Sequence, residues 1–407
     1  MKTSSRRVVI TGSGVVSALG NAPKGLHDAL CKGHCGLGPI QLFQSAQYAG
    51  EIHDFDASEI LGEGNLRPLD RIARLAASAA QLTLADTSCT QEMRDEQDVG
   101  IVLGTVFSGA HTIGVFDQLA ITRGPRFVKP LDFANTVINA ATGQTAIWHN
   151  LRGINSTVAT GASSGLQALA YASDLILSKR SDMLLAGGAE ELCFEMMFGF
   201  DRLGLLSKTV DTAVAFDADR SGLAVGEGSA FLMLEDEEIA RKRGATVIGE
   251  IRGYAMAFDP QRGKSAQQME EMMARTIRGA LLNADLAVSE IDCISSSASG
   301  GIAGDRSEAH AISEVFGKQT GSMPITAIKS AVGETLGASG AIQTVALLEH
   351  MAQGVLPGIC GFGKLEYGLD LPTVGKDNRT AKMQNGLVLS FGLDGNLCAL
   401  VVSKGPS

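Results

Sequence analysis

Apolar runs of strand length alternate with segments of helical periodicity along almost the whole chain. Residues 8–11 predict a strand and 22–32 a helix, and 70–86 repeat apolar positions at three and four spacing, which predicts a second helix. Residues 99–103 read as a buried strand and 135–150 as a helix. A short strand at 157–160 enters a Gly/Ser turn, and a helix at 165–177 leaves it. Strands at 183–186 and 231–234 complete a first round. The pattern restarts with a strand at 247–254, then a helix at 265–283, a strand at 293–296 and helices at 305–316 and 337–351. Strands at 386–390 and 397–402 close it. Two successive rounds imply two α/β halves packed on each other, residues 1–245 and 246–407. Sequence repetition between the halves is weak, so the duplication is read from the order of elements.

Composition changes this picture little. Hydrophobic residues at 45% and charged residues at 19% supply an extensive core and lack the signature of disorder. Glycines outnumber prolines 49 to 10, which favours tight strand–helix turns over a linker. The net charge of −10 carries no basic stripe, arguing against a nucleic-acid partner. An acidic body also repels an acidic carrier protein unless a local basic patch receives it. Arg6-Arg7 before an uncharged run has the form of a twin-arginine signal, but the run is broken by glycines and predicts a first core strand instead. The longest uncharged run, 153–173, is full of Ser, Thr, Gly and Asn and predicts no membrane span. A cytoplasmic protein is expected. Cysteines 31, 35, 89, 193, 293, 360 and 398 are odd in number and irregular in spacing, which reads as reduced thiols. Cys31, His34 and Cys35 lie close together, but no second ligand pair follows at zinc spacing, so a helix end is expected and no metal site.

Three segments carry the chemistry: STVATGASSGLQAL (156–169), SSSASGGIAGDRSEAH (295–310) and IKSAVGETLGASGA (328–341). With GGAEE (187–191), FDADRSGLAVGEG (216–228) and SFGLDG (390–395), they resemble the β-ketoacyl-acyl carrier protein synthases over essentially the whole chain. The resemblance implies a thiolase-like α/β fold, a five-layer αβαβα sandwich of two similar halves, assembled as a dimer and needing no metal or organic cofactor. A condensing enzyme of that kind holds the acyl chain on a cysteine at a helix N-terminus, where the dipole favours the thiolate. Two histidines then assist decarboxylation and stabilise the enolate, supported by a lysine–glutamate pair.

Carried onto this chain, the pattern fails at its centre. The nucleophile's position holds Ala162, and the two histidine positions hold Ser297 and Glu334. Lys329 is kept, while its glutamate partner becomes Gln343. The resemblance therefore implies a catalytically degenerate member, similar to the chain-length factor of a type II polyketide or aryl polyene ketosynthase heterodimer. Such a chain is inactive alone. Its partners would be an active ketosynthase and, through that subunit, an acyl carrier protein. Loss of one member of a catalytic unit abolishes most activity, and further losses add little. A buried lysine needs a partner, so a Lys329–Glu334 ion pair within about 4 Å is expected.

Other readings are weaker on chemical grounds. Ser163 or Ser164 would need a base, and His27, His34, His53, His111, His149, His310 and His350 all fall outside the family motifs. A malonyl-carrier decarboxylase would need an amide where Ala162 stands. A homodimeric acyl-binding scaffold is a further alternative. Asp219-Arg220 and Gly226-Glu227-Gly228 read as structural, and Gly12-Ser13-Gly14 lacks the rest of a dinucleotide fingerprint. In chain-length factors the helix matching the segment after 104 faces the partner and closes the growing-chain tunnel. Phe107, His111, Thr112, Val115 and Phe116 are therefore gate candidates, with Phe198, Phe200 and Phe391 beside them. Phe107 and Phe116 read equally well as core aromatics. Arg67 and Arg71 are candidates for docking a carrier protein.

Overall fold

In a computed structural model, which describes residues 6–406, the chain builds one twisted ten-strand sheet folded around a central helical layer. Its strands are β1 (Val8–Ser17), β2 (Gly100–Gly104), β3 (Asn155–Val158), β4 (Met183–Glu190) and β5 (Gly228–Asp236), then β6 (Gly249–Phe258), β7 (Cys293–Ser295), β8 (Ile325–Thr326), β9 (Asn385–Phe391) and β10 (Asn396–Lys404). The spatial order is β8-β7-β9-β10-β6-β1-β5-β4-β2-β3. Each block of five has the same internal order: from its outer edge, third, second, fourth, fifth and first strand. In each block the three outer strands run parallel and the last two are antiparallel. Among the described residues, the strands of the two blocks pair where Val8–Ile10 of β1 meets 249–251 of β6.

The main helices are α1 (Pro23–Cys31), α2 (Arg71–Asp86), α3 (Ala110–Arg123), α4 (Ala140–His149), α5 (Ser164–Leu177), α6 (Phe194–Arg202), α7 (Ala266–Ala284), α8 (Ile302–Phe316) and α9 (Ser339–Gln353). Helices α2 and α4 cover the outer face of the first block, and α7 and α8 that of the second. Between the blocks lie α5 and α9, each touching strands of both halves and each other. Both central helices are apolar nearly all round, as a helix buried on all sides must be. They pack closely because glycine sits where they meet: a Cβ on Gly340 would lie 2.6 Å from that of Leu166.

Several elements differ in length from their pattern. The first strand runs on through Gly12 and Gly14, which break the apolar run. A side chain at Gly14 would lie 2.5 Å from the Ala79 carbonyl, so β1 can reach α2 only with glycine there. Asp70, at the start of the predicted second helix, is its N-cap and accepts the Ala73 N–H at 3.1 Å. Residues 135–139 of the predicted third helix form turns, and α4 begins at Ala140. No helix among the described residues is long and apolar enough to cross a membrane.

Candidate functional site

Strand β3 ends at Val158, and the chain turns through Gly161–Ser163 into α5. Gly161 takes a φ of 67°, and a Cβ there would fall 1.5 Å from Asp394 Oδ2, so the turn requires glycine. The next residue, Ala162, puts a methyl group just ahead of the first turn of the buried helix. It packs against a cluster built from Leu192, Met196, Met197 and Leu336, together with Val106 and Phe200. The adjacent hydroxyls are occupied. Ser164 Oγ donates to the Gly161 carbonyl at 2.6 Å and accepts the Thr160 N–H at 2.8 Å. Ser163 Oγ donates to the Thr160 carbonyl at 3.2 Å and accepts from Gln167 Nε2 at 2.8 Å. Neither serine hydroxyl is hydrogen-bonded to a histidine among the described residues.

The end of β9 joins this turn to the other two segments. Ser390 Oγ donates to the Ala162 carbonyl at 3.3 Å, and the next residue, Phe391, donates its N–H to Ser297 Oγ at 2.9 Å. Ser297 follows β7. Lys329 lies on the short helical turn Lys329–Val332, and Gly333, at φ 82°, redirects the chain into Glu334. The Lys329 ammonium donates to Glu334 Oε2 at 2.7 Å and to Ser297 Oγ at 3.4 Å. The expected ion pair therefore forms, with side chains only 2% and 9% exposed. Glu334 Oε1 also accepts the Leu336 N–H at 2.9 Å and the Ser339 hydroxyl at 2.6 Å. A carboxylate with three donors and an ammonium with two acceptors form a connected network.

Gln343 does not take over the glutamate's role toward Lys329. Its amide donates to the carbonyls of Ser296 at 2.8 Å and Leu389 at 3.1 Å, which an ionised carboxylate cannot do. Three further buried acids organise the surroundings, and sequence reasoning assigned them no role. Glu308 of α8 accepts the Ser297 N–H at 2.8 Å and the Ser296 hydroxyl at 2.9 Å, and burial pushes its carboxyl up to about 7. Glu190, pushed by burial up to about 7, accepts the N–H groups of Val106, Phe107 and Gly337. Glu191 accepts those of Ile72 and His111, and burial, with Asp70 nearby, pushes it up to about 8. The usable signal was an acidic pair closing an apolar strand, because such residues are buried only with a purpose.

The gate candidates lie mostly along one surface. Phe107 is 39% exposed, and α3 buries no residue, so neither Phe107 nor Phe116 is a core aromatic. Phe116 is half-buried, with its ring centroid 6.0 Å from that of Phe133. His111 reaches Glu195 at 3.4 Å, Thr112 donates to Asp70 Oδ2 at 3.3 Å, and Val115 is exposed. Phe198 is 54% exposed and stacks on Phe194, while Phe200 touches the cluster around Ala162. Phe391 is half-buried beside Ser297.

One docking candidate is corrected. Arg71 is not a free surface cation, because its guanidinium forks onto the fully buried carboxylate of Glu227 at 2.5 and 2.7 Å. Glu227 in turn accepts the N–H groups of Ile52 and Leu192, which makes it a structural hub. Arg67 is exposed. No cluster of His, Cys, Asp or Glu among the described residues is arranged to hold a metal ion.

The family model for the beta-ketoacyl synthase N-terminal domain matches residues 5–240, and that for the C-terminal domain matches residues 248–363. The chain is 33% identical to the tetracenomycin polyketide synthase ketoacyl synthase beta subunit of Streptomyces glaucescens, covering 98% of each. It is 30% identical to 3-oxoacyl-[acyl-carrier-protein] synthase 2 of Coxiella burnetii, covering 98% of this chain and 99% of that protein. Among solved structures, the ishigamide ketosynthase/chain length factor superposes with a TM-score of 0.92 at 27% identity, over 99% of this chain and 100% of that one. The chain belongs to the beta-ketoacyl synthase family and has the thiolase-like α/β fold of its ketosynthases.

Proposed function

We propose that this chain is the non-condensing subunit of a ketosynthase–chain-length-factor heterodimer, shaping the acyl tunnel of an active partner and setting the length of a polyketide or polyene. The observation that carries the reading is the occupancy of the site. A methyl group stands where a thiolate would attack, and the two histidine positions hold a serine and a carboxylate locked to Lys329. No nucleophile and base converge there among the described residues, and the Glu334 carboxylate, bound to Lys329, offers no donor to an enolate oxygen.

A catalytic deletion alone leaves open what the chain is for. Two surface features support a partner subunit. Helix α3 carries Ile113 and Val115 exposed, next to the exposed Phe107, Phe127, Leu131 and Phe133. The edge strand β3 ends the sheet on the same half, with one side unpaired. An exposed apolar band and an open strand edge are each expected to be covered by another subunit. A cysteine-bearing ketosynthase is the occupant that also explains the empty site.

The test is co-expression of the tagged chain with candidate ketosynthases, followed by native mass measurement and assay with malonyl carrier protein. A one-to-one complex that condenses, where this chain alone does not, supports the proposal. A stable homodimer that ignores such partners replaces it with the acyl-binding scaffold. Acetyl carrier protein formed by the chain alone replaces it with the decarboxylase.

A further inference from the structure

Residues 109–135, which carry His111, Thr112, Val115 and Phe116, leave the body of the fold and return to it at one place. The stretch holds α3, a single turn at Pro125–Phe127 and a short helix at Pro130–Phe133, and none of the three buries a residue. Helix α3 packs on both of the later elements, and Phe116 meets Phe133 across them. The two ends of the stretch touch. A Cβ on Gly109 would lie 2.7 Å from Asp70 Oδ2 and 2.8 Å from the Asn135 carbonyl oxygen, so the chain leaves and re-enters beside the N-cap of α2.

Hydrogen bonds to buried groups hold this neck. On the leaving side Glu190 accepts the Val106 N–H at 2.8 Å and the Phe107 N–H at 2.9 Å. Glu191 accepts the His111 N–H at 3.4 Å, and Asp70 accepts the Thr112 hydroxyl at 3.3 Å. On the returning side the buried Asn135 donates from Nδ2 to the Pro68 carbonyl at 2.8 Å and accepts from Gln144 Nε2 at 3.5 Å. Between them Ser108 takes a φ of 50°, which costs a residue with a Cβ, and its buried hydroxyl has no partner among the described residues. We propose that residues 109–135 form an arm on a hydrogen-bonded neck, with Glu191 and Asn135 as positioning residues that set where the gate side chains stand in the acyl tunnel. This rests on the chain-length reading above and adds what fixes the length-setting surface in place.

A wall that stops a growing chain by overpacking must hold its place to within about a methylene group. Core helices get that precision from buried side chains, and α3 has none. Ala110 touches the apolar cluster around Ala162, and farther along α3 a Cβ on Gly114 would lie 2.5 Å from Glu195 Oε1. The first turn of α3 is therefore set by the neck. Thr112 makes the link direct, because a gate candidate's own hydroxyl is one of the neck bonds. Phe116 stands one turn farther on, so a rotation of the first turn carries its ring with it. Each neck bond can be removed singly, and losing one to a buried group changes a local opening equilibrium about tenfold.

The test uses the full chain and two variants. Asn135→Asp turns the donor facing the Pro68 carbonyl into an acceptor, and Glu191→Ala removes the acceptor of the His111 N–H. In hydrogen exchange on the chain alone, each should speed exchange of the 106–135 amides about tenfold while α5 and α9 keep their protection. In the heterodimer with an active ketosynthase, each should shift or broaden the product-length distribution with Phe116 untouched. A residue that only stabilises the fold would lower the yield at unchanged length. Should Glu191→Ala not fold, Asn135→Asp carries the test. Unchanged exchange over 106–135 overturns the neck, and faster exchange with unchanged product length overturns the positioning role alone. A chain that pairs with no ketosynthase overturns the heterodimer reading and the length-setting role with it, whatever the exchange shows.

Discussion

Replacing Glu334 with glutamine should cost the chain about 3–5 kcal/mol, because it removes the carboxylate hydrogen-bonded to a buried ammonium. Lys329 is 2% exposed, and its other acceptor is Ser297 Oγ at 3.4 Å, a neutral group at long range. The reverse deletion should be milder. In Lys329→Met the carboxylate keeps the Leu336 N–H at 2.9 Å and the Ser339 hydroxyl at 2.6 Å, so about 1–3 kcal/mol is expected. The double variant Lys329→Met with Glu334→Leu removes both charges and should return to within about 1 kcal/mol of the parent. Over 407 residues, an unfolding entropy of about 2.1 cal/mol/K per residue turns the first figure into a fall of about 4–6 °C in Tm. The assay is a double-mutant cycle by thermal and urea unfolding of all four proteins. The reasoning is refuted if Glu334→Gln lies within about 0.5 kcal/mol of the parent, or if the double variant costs the sum of the singles. The same logic explains why the site's changes go together. A histidine at 334 without a carboxylate near Lys329 would strand the lysine.

Four further outcomes follow from the geometry. Burial pushes Glu190 up to about 7 and Glu191 up to about 8, while unfolded carboxyls ionise near 4.5. Between those values the folded chain holds protons the unfolded chain has lost, so stability falls as pH rises from about 4.5 to 8. Glu191→Gln should flatten the Tm profile over that window, and an unchanged slope would count against the assignment. Gln343→Glu sets a carboxylate against the Ser296 and Leu389 carbonyls and should lower the urea-derived stability by about 3 kcal/mol or more. Gly161→Ala meets both the φ of 67° and Asp394, and should cost at least about 2 kcal/mol by the same measurement. In a reconstituted heterodimer, Phe116→Ala should lengthen the products seen by mass spectrometry, and an unchanged distribution would remove Phe116 from the gate.

What could be read from the chain divides along a physical line. Elements whose two faces differ in burial, such as α2 and α7, announce themselves by period, and the central helices by unbroken apolarity. Helix α3 was invisible to that test, because it buries no residue and Ile113, Val115 and Ile121 are exposed. It was noticed only through the family resemblance. The site was legible because its chemistry is an absence within a fixed frame: Ala162, Ser297 and Glu334 stand in segments whose flanking residues still specify the turns. Side-chain pairing followed sequence separation instead. Lys329 and Glu334 are five residues apart around one turn, so charge and burial alone bring them together. Arg71 and Glu227 are 156 apart and meet only because β5 and α2 pack against each other, so Arg71 read as a surface cation. Sequence separation likewise concealed the link from Glu190 to Val106, which exists only once the strands are in order. A charged residue in an apolar run is thus readable as buried well before its partner is, and only the topology supplies the partner.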